Sequence, residues 1–143
     1  MKKIILVIFL LLCVSACKNN DIPNIEKEDN YMENIRVIIN DNSYDFIMEN
    51  NETSKEFLKL LPKEFDMNEL NNNEKYIYLD NTLKTNPIKI NHINAGDVMI
   101  YQNDCLVIFY KSFDTSYSYT KIGHINNLPD LGNKNILVKF ITS

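Results

Sequence analysis

Two apolar runs, residues 98–101 and 106–109, flank a short polar turn at Asn103-Asp104 and give the strongest hairpin signal in the chain. They set the class of what surrounds them. From residue 33 onward the sequence reads as short strands and turns, interrupted by one helical pattern. Strands are expected at residues 35–39, 44–49, 63–70, 76–79, 97–101, 105–110, 118–125 and 136–141. Asn40-Asp41-Asn42-Ser43, Asn71-Asn72-Asn73, Thr85-Asn86-Pro87 and Asn94-Ala95-Gly96 supply turn residues between them. In the helix, Thr53-Ser54-Lys55-Glu56 has the spacing of a capping box, Phe57, Leu58, Leu60 and Leu61 form an apolar stripe, and Pro62 ends the ladder. About three turns with one apolar face need a sheet or a barrel mouth to pack on. Many short strands in roughly 110 residues point to a closed barrel or a sandwich, because closure removes exposed edges.

The N-terminal stretch is of another kind. Met1-Lys2-Lys3 is positively charged, and residues 4–14 are apolar throughout. About eleven apolar residues are too few for a spanning helix, which needs about 20, and suit the hydrophobic region of a signal peptide. Val14-Ser15-Ala16-Cys17 then resembles the lipobox of bacterial lipoproteins, in which the cysteine is acylated and becomes the first residue. The expected organisation is a signal peptide over residues 1–16, lipidated Cys17 with a polar tether over 17–32, and a folded domain over 33–143. Two or three acyl chains hold a protein to a bilayer where one is marginal. The lipid anchor is the one membrane contact expected. The expected address is the cell envelope, outside the cytoplasm. Lys18 is not the aspartate that retains lipoproteins at an inner membrane, so a two-membrane cell would place the chain at its outer membrane. A one-membrane cell would hold it on the outer face of its plasma membrane.

Charge narrows the partners. The net charge of −4 includes Lys2 and Lys3, and without them the balance is thirteen cationic against nineteen acidic residues. An acidic surface with no basic cluster repels phosphate backbones, so nucleic acid is not an expected partner. Asn, Ile and Lys are abundant and Arg36 is the single arginine, a bias attributed to AT-rich coding; most individual asparagines are given no functional weight. Of three cysteines, Cys13 leaves with the leader and Cys17 takes lipid, so Cys105 has no disulfide partner. Its apolar neighbours favour a buried, inert thiol.

Several segments resemble, in order and spacing, the bacterial cyclophilin-like domain family. They are residues 35–39, the helix of residues 53–62, Asn73-Glu74-Lys75-Tyr76, residues 95–101, and the long run from Cys105 to Gly123 that contains Phe109-Tyr110-Lys111-Ser112-Phe113 and Thr115-Ser116-Tyr117-Ser118-Tyr119-Thr120. The resemblance implies a mainly β fold, a small closed cyclophilin-like barrel with one main helix. The Phe-His-Arg and Gln-Gly-Gly-Asp patterns of prolyl isomerases are absent, and Arg36 falls on the first expected strand. The preferred functional reading is a non-catalytic module binding a peptide or small molecule. The alternatives are a divergent peptidyl-prolyl isomerase using Arg36 or another donor, and an envelope component with no ligand of its own.

Residues 110–120 mix apolar faces with hydroxyls in a way that suits an extended ligand, with Tyr110, Phe113, Tyr117 and Tyr119 as the candidate contacts. The structural alternative is that Tyr and Thr line a barrel end simply as good strand formers. Glu74 and Asp97 each stand at an expected strand start, where a carboxylate either faces a cavity or caps a turn. Glu74 and His124 join the candidate binding residues. No catalytic residue is assigned. His92 and His124 lack the neighbours of a metal site, Ser116 lacks a nucleophile elbow, and no cofactor motif is present, so no metal or cofactor is expected.

Overall fold

Asparagines close the hairpins. Asn40 and Asp41 take φ of 48° and 63° between β1 (Ile35–Ile39) and β2 (Asn42–Met48). Asn71 and Asn72 take 55° and 56° between β3 (Lys63–Leu70) and β4 (Glu74–Tyr78). Two successive residues at positive φ give a tight turn whose twist matches the strands it joins, and Asn or Asp adopt it at lower cost than most side chains. Residues that composition assigns to coding bias therefore set the register of two hairpins.

The computed structural model describes residues 34–143. The expected signal peptide, Cys17 and the tether lie outside the described residues. The remaining elements are α1 (Glu52–Leu58), β5 (Ile88–Lys89), β6 (His92–Ile93), β7 (Asp97–Tyr101), β8 (Cys105–Phe109), β9 (Phe113–Asp114), β10 (Ser118–Ile125) and β11 (Ile136–Thr142). Eight strands close a barrel in the order β2-β1-β11-β3-β4-β8-β7-β10, every pair antiparallel. The seam between β10 and β2 runs through Gly123↔Met48, His124↔Ile47 and Ile125↔Phe46. β5 extends the edge of β10, and β6 pairs with β9 in a separate two-stranded sheet. Closure realises the barrel and not the sandwich.

Period-two alternation decides what lies inside. Ile35, Val37 and Ile39 of β1, Phe65 and Met67 of β3, Val98 and Ile100 of β7, Leu106 and Ile108 of β8, and Val138 and Phe140 of β11 share one buried cluster fed from all sides of the barrel. Phe57 of α1 enters it completely, edge-on to Phe140 at 5.3 Å and stacked on Phe65 at 6.3 Å. Leu58, Leu60 and Leu61 pack half-buried beside it. The helix is thus the plug of one barrel mouth. Burying a phenylalanine of this kind contributes about 3–5 kcal/mol relative to alanine.

The helix starts earlier and ends sooner than its sequence pattern implies. Asn51, not Thr53, is the N-cap: its side-chain oxygen accepts from the Ser54 N–H at 2.9 Å. Thr53 instead donates to the Lys84 carbonyl at 2.6 Å, and Glu56 accepts the Lys84 N–H at 2.7 Å, so neither is free to form the capping box. The regular helix spans seven residues, and the chain leaves it through a turn in which Leu60 and Leu61 donate back three residues, to Phe57 and Leu58.

Asn51 prevails because β10 carries a bulge. The pairing of β10 with β7 slips between Lys121 and Gly123, leaving Ile122 as the extra residue. The carbonyls around the bulge are taken up by the cap region: Asn51 Nδ2 donates to Lys121 O at 2.9 Å, and the Ser54 hydroxyl and the Glu49 N–H donate to Ile122 O. Gly123 follows at the seam. A β-carbon there would meet the Phe46 ring and stand 2.6 Å from Ile47 O, so only glycine lets β10 close against β2.

Candidate functional site

β8 is buried on both faces, which explains its unbroken apolar sequence. Leu106 and Ile108 point into the barrel, while Cys105, Val107 and Phe109 point outward into a second cluster with Ile93, Met99 and Tyr119. Ile90 and Phe113, from the segments that include β6 and β9, roof part of this outer face. Where the roof stops, the face opens as a cavity of about 510 Å³.

Alternation also determines its walls. Ile77 of β4 packs inward, so Glu74, Tyr76 and Tyr78 of the same strand face outward, and all three line the cavity. Tyr101 follows from β7, and Tyr119 from β10 forms the floor at 6% exposure. Phe113 and the exposed Tyr117 complete the rim. Tyr101 sits at the centre of the aromatic group, 5.5 Å from Tyr119 and 6.1 Å from Tyr117 between ring centroids. Such tilted and edge-on pairs hold rings in fixed orientations.

Glu74 is the ionisable group of greatest interest. It is 9% exposed, begins β4 opposite Phe109, and its carboxylate makes no hydrogen bond or ion pair to any described residue. Burial, with a smaller contribution from the Glu69 carboxylate, pushes its acid constant up to about 7. Asn73, beside it on the wall, has a buried side-chain oxygen that likewise lacks a donor among the described residues. Cys105 also borders the space, and burial first, then Asp104 and Glu74, push its thiol up to about 11. It is protonated at neutral pH and a poor nucleophile. Burial likewise pushes Tyr119 up to about 12.

Four of the six candidate binding residues, Glu74, Phe113, Tyr117 and Tyr119, therefore meet at one cavity. The other two lie elsewhere. Tyr110 continues the inward series of Leu106 and Ile108, so its ring enters the barrel end opposite α1's Phe57 plug by strand order, and its hydroxyl donates to Glu69 at 2.9 Å. Lys75, fully buried, lies 4.7 Å from that ring and donates to Glu69 and to the carbonyls of Gly132 and Lys134 at 2.6 and 2.7 Å. All three ammonium protons are used, and the group ties the 128–135 loop to the barrel. Burial first, then the bond to Glu69, raises the Tyr110 hydroxyl. His124 is half-exposed and contacts Asp97 Oδ1 at 3.0 Å, where Lys121 Nζ also binds at 2.8 Å. Burial opposes ionisation of Asp97, but Lys121, the Asn94 N–H and His124 together hold its carboxyl below the usual range. Asp97 is a fully partnered structural acid and does not line the cavity.

Tyr76, Tyr78, Tyr101 and Asn73 were not singled out by sequence. The signal was present as alternation: Glu74, Tyr76 and Tyr78 are two apart, as are Cys105, Val107 and Phe109. Joining them required knowing that β4, β8, β7 and β10 are neighbours. A second hollow of about 580 Å³ lies beside α1, but its Lys84 and Lys121 are already bound to Glu52 and Asp97. Among the described residues no three His, Cys, Asp or Glu side chains are grouped to hold a metal ion. Arg36 is held on the outside of β1 by Asp45 at 2.7 Å and Ser43 at 2.9 Å, and does not line the cavity.

No curated protein and no solved structure shows a significant match to the chain. The model of the cyclophilin-like family matches residues 37–140, from within β1 to within β11 and thus around the whole barrel circuit. Agreement over that span, with the closed eight-stranded architecture, makes this chain a member of the cyclophilin-like family.

Proposed function

We propose that the barrel is a non-catalytic binding module, held at the outer side of a membrane by lipid on Cys17, and that its ligand site is the cavity on the outer face of β4, β8, β7 and β10. The observation that carries this reading is an aromatic hollow of about 510 Å³ with a buried, unpartnered carboxylate in its wall. A volume in this range suits a small molecule or one or two residues of a peptide. The state of the groups at the site supports this reading: the Cys105 thiol is protonated, and the Glu74 carboxylate has no hydrogen-bonded acid or base among the described residues to pair with it in proton transfer. The single arginine, which a prolyl isomerase would use as its donor, is engaged by Asp45 away from the cavity.

The test is a thermal-shift screen of the full chain in detergent against peptide and metabolite sets. A ligand at 100 times its dissociation constant stabilises by about 2.7 kcal/mol. The expected result is a shift that disappears in Tyr117→Ala, whose exposed ring contributes little to the fold. Hits whose shifts survive both Tyr117→Ala and Tyr101→Ala would place binding elsewhere. Acceleration of proline-peptide isomerisation that is lost in Arg36→Ala would overturn the binding-only reading.

A further inference from the structure

We infer that the cavity takes an organic cation, a protonated amine carried on an apolar stem. The inference rests on the cavity being a ligand site and names the chemical class of that ligand.

Three observations converge. The first is charge: among the described residues no lysine, arginine or histidine lines the space, and its two acids are Glu74 in the wall and Asp114 at the rim. An anion would meet repulsion and no counter-charge. The second is unmet hydrogen-bonding capacity. Other buried charged groups in this fold are fully partnered, Lys75 with Glu69 and two carbonyls, Asp97 with Lys121, His124 and the Asn94 N–H. Glu74, 9% exposed, has no side-chain hydrogen bond or ion pair among the described residues, and Asn73 Oδ1 in the preceding residue has no partner either. A carboxylate in the cavity wall without a protein donor calls for a ligand that brings its own N–H groups. The third is the aromatic wall. Tyr76, Tyr101, Tyr117 and Tyr119 surround the same space, and ring faces attract a desolvated cation while packing against its hydrocarbon stem. A neutral ligand would satisfy the rings and leave the carboxylate without a counter-charge. An amine satisfies both.

Binding an ammonium ion favours ionised Glu74, so affinity rises with pH as that carboxyl gives up its proton, and binding itself expels a proton. The titratable groups that line the cavity with Glu74 are Tyr76 and Tyr78 on β4, Tyr101 on β7, Cys105 on β8, Asp114 on β9, Tyr117, and Tyr119 on β10; His92 contacts Asp114 at 2.6 Å, and Glu69 on β3, paired with Lys75, acts on Glu74 from the barrel interior.

The experiment compares 2-phenylethylamine with its neutral isostere 2-phenylethanol by calorimetry on the full chain in detergent, at pH 5.5 and pH 8. Nα-acetyl-lysine methylamide tests whether a peptide lysine serves as well as a free amine. At pH 8 the amine should bind about tenfold tighter than the alcohol, with the advantage shrinking at pH 5.5 and vanishing in Glu74→Gln. Tighter binding of the lysine amide than of the free amine would identify a peptide as the source of the cation. Equal binding of amine and alcohol at pH 8 in the wild-type chain would overturn the cation inference and leave the cavity reading in place. Binding of none of the three would overturn the cation inference, and the cavity reading falls with it if the thermal-shift screen also yields no shift sensitive to Tyr117→Ala or Tyr101→Ala. The wild-type pH comparison decides the matter even where the Glu74 variant folds poorly.

Discussion

Replacing Glu74 by glutamine should make the protein more stable at neutral and alkaline pH, which is the reverse of the usual effect of altering a buried residue. The carboxyl titrates near 4.5 in an unfolded chain and at about 7 in the fold, chiefly through burial. Below pH 4.5 both states hold the proton and nothing is lost. Between 4.5 and 7 the folded state keeps a proton that the unfolded state has released, so stability falls as pH rises. Above 7 the fold carries a buried, unpaired charge. At about 1.4 kcal/mol for each pH unit between the two constants, the full cost is about 3 kcal/mol. Glutamine has nearly the same shape and no charge, so it escapes that cost. Urea unfolding of both proteins from pH 4 to pH 8 reads the difference directly, and contributions from His92 and His124 cancel in it. The variants should coincide near pH 4 and separate to about 3 kcal/mol in favour of Glu74→Gln by pH 8. A constant gap across that range, or a less stable glutamine variant at pH 8, would show that Glu74 is not the unpartnered acid described.

Three further outcomes follow from other parts of the molecule. Gly123→Ala should destabilise by about 1–3 kcal/mol or more in urea, since the new methyl meets Phe46 and Ile47 O at the barrel seam; a neutral effect would mean the seam is looser than its geometry. Lys75→Met should cost about 3–5 kcal/mol, because it strands Glu69 and releases the carbonyls of Gly132 and Lys134, and hydrogen exchange should show the 128–135 loop freed. Cys17→Ser should move the protein from the membrane to the soluble fraction, because the acyl chains are the proposed attachment; unchanged membrane retention would remove the address from the account.

Much of the barrel was legible in the sequence. The bounds of β1, β3, β7 and β10 coincide with those read from alternation and turn residues, and β2, β4, β8 and β11 differ by one or two positions. β5, β6 and β9 escaped because two residues carry no periodicity; only pairing with a distant partner defines them. The helix start was misplaced because Thr53 to Glu56 satisfies a local rule, while Asn51 is selected by a β10 bulge seventy residues away in the chain. The site divided along the same line. Glu74, Phe113, Tyr117 and Tyr119 carry the right chemistry and do meet, but Tyr110 turns inward by continuing the parity of β8 while Tyr119 turns outward by the parity of β10, and neither is readable without the barrel's strand order. Lys75 gave no warning at all, since a lysine in a strand ordinarily marks solvent, and its burial follows from Glu69 standing opposite it across the β3–β4 ladder.

A carbon-13 NMR titration of the Glu74 side-chain carboxyl, run on the full chain with and without 2-phenylethylamine, addresses the site in one measurement. The ligand-free carboxyl should titrate at about 7 and move well below that value once an ammonium ion neutralises it. A free carboxyl titrating near 4.5, or a midpoint that saturating amine leaves in place, would contradict the account.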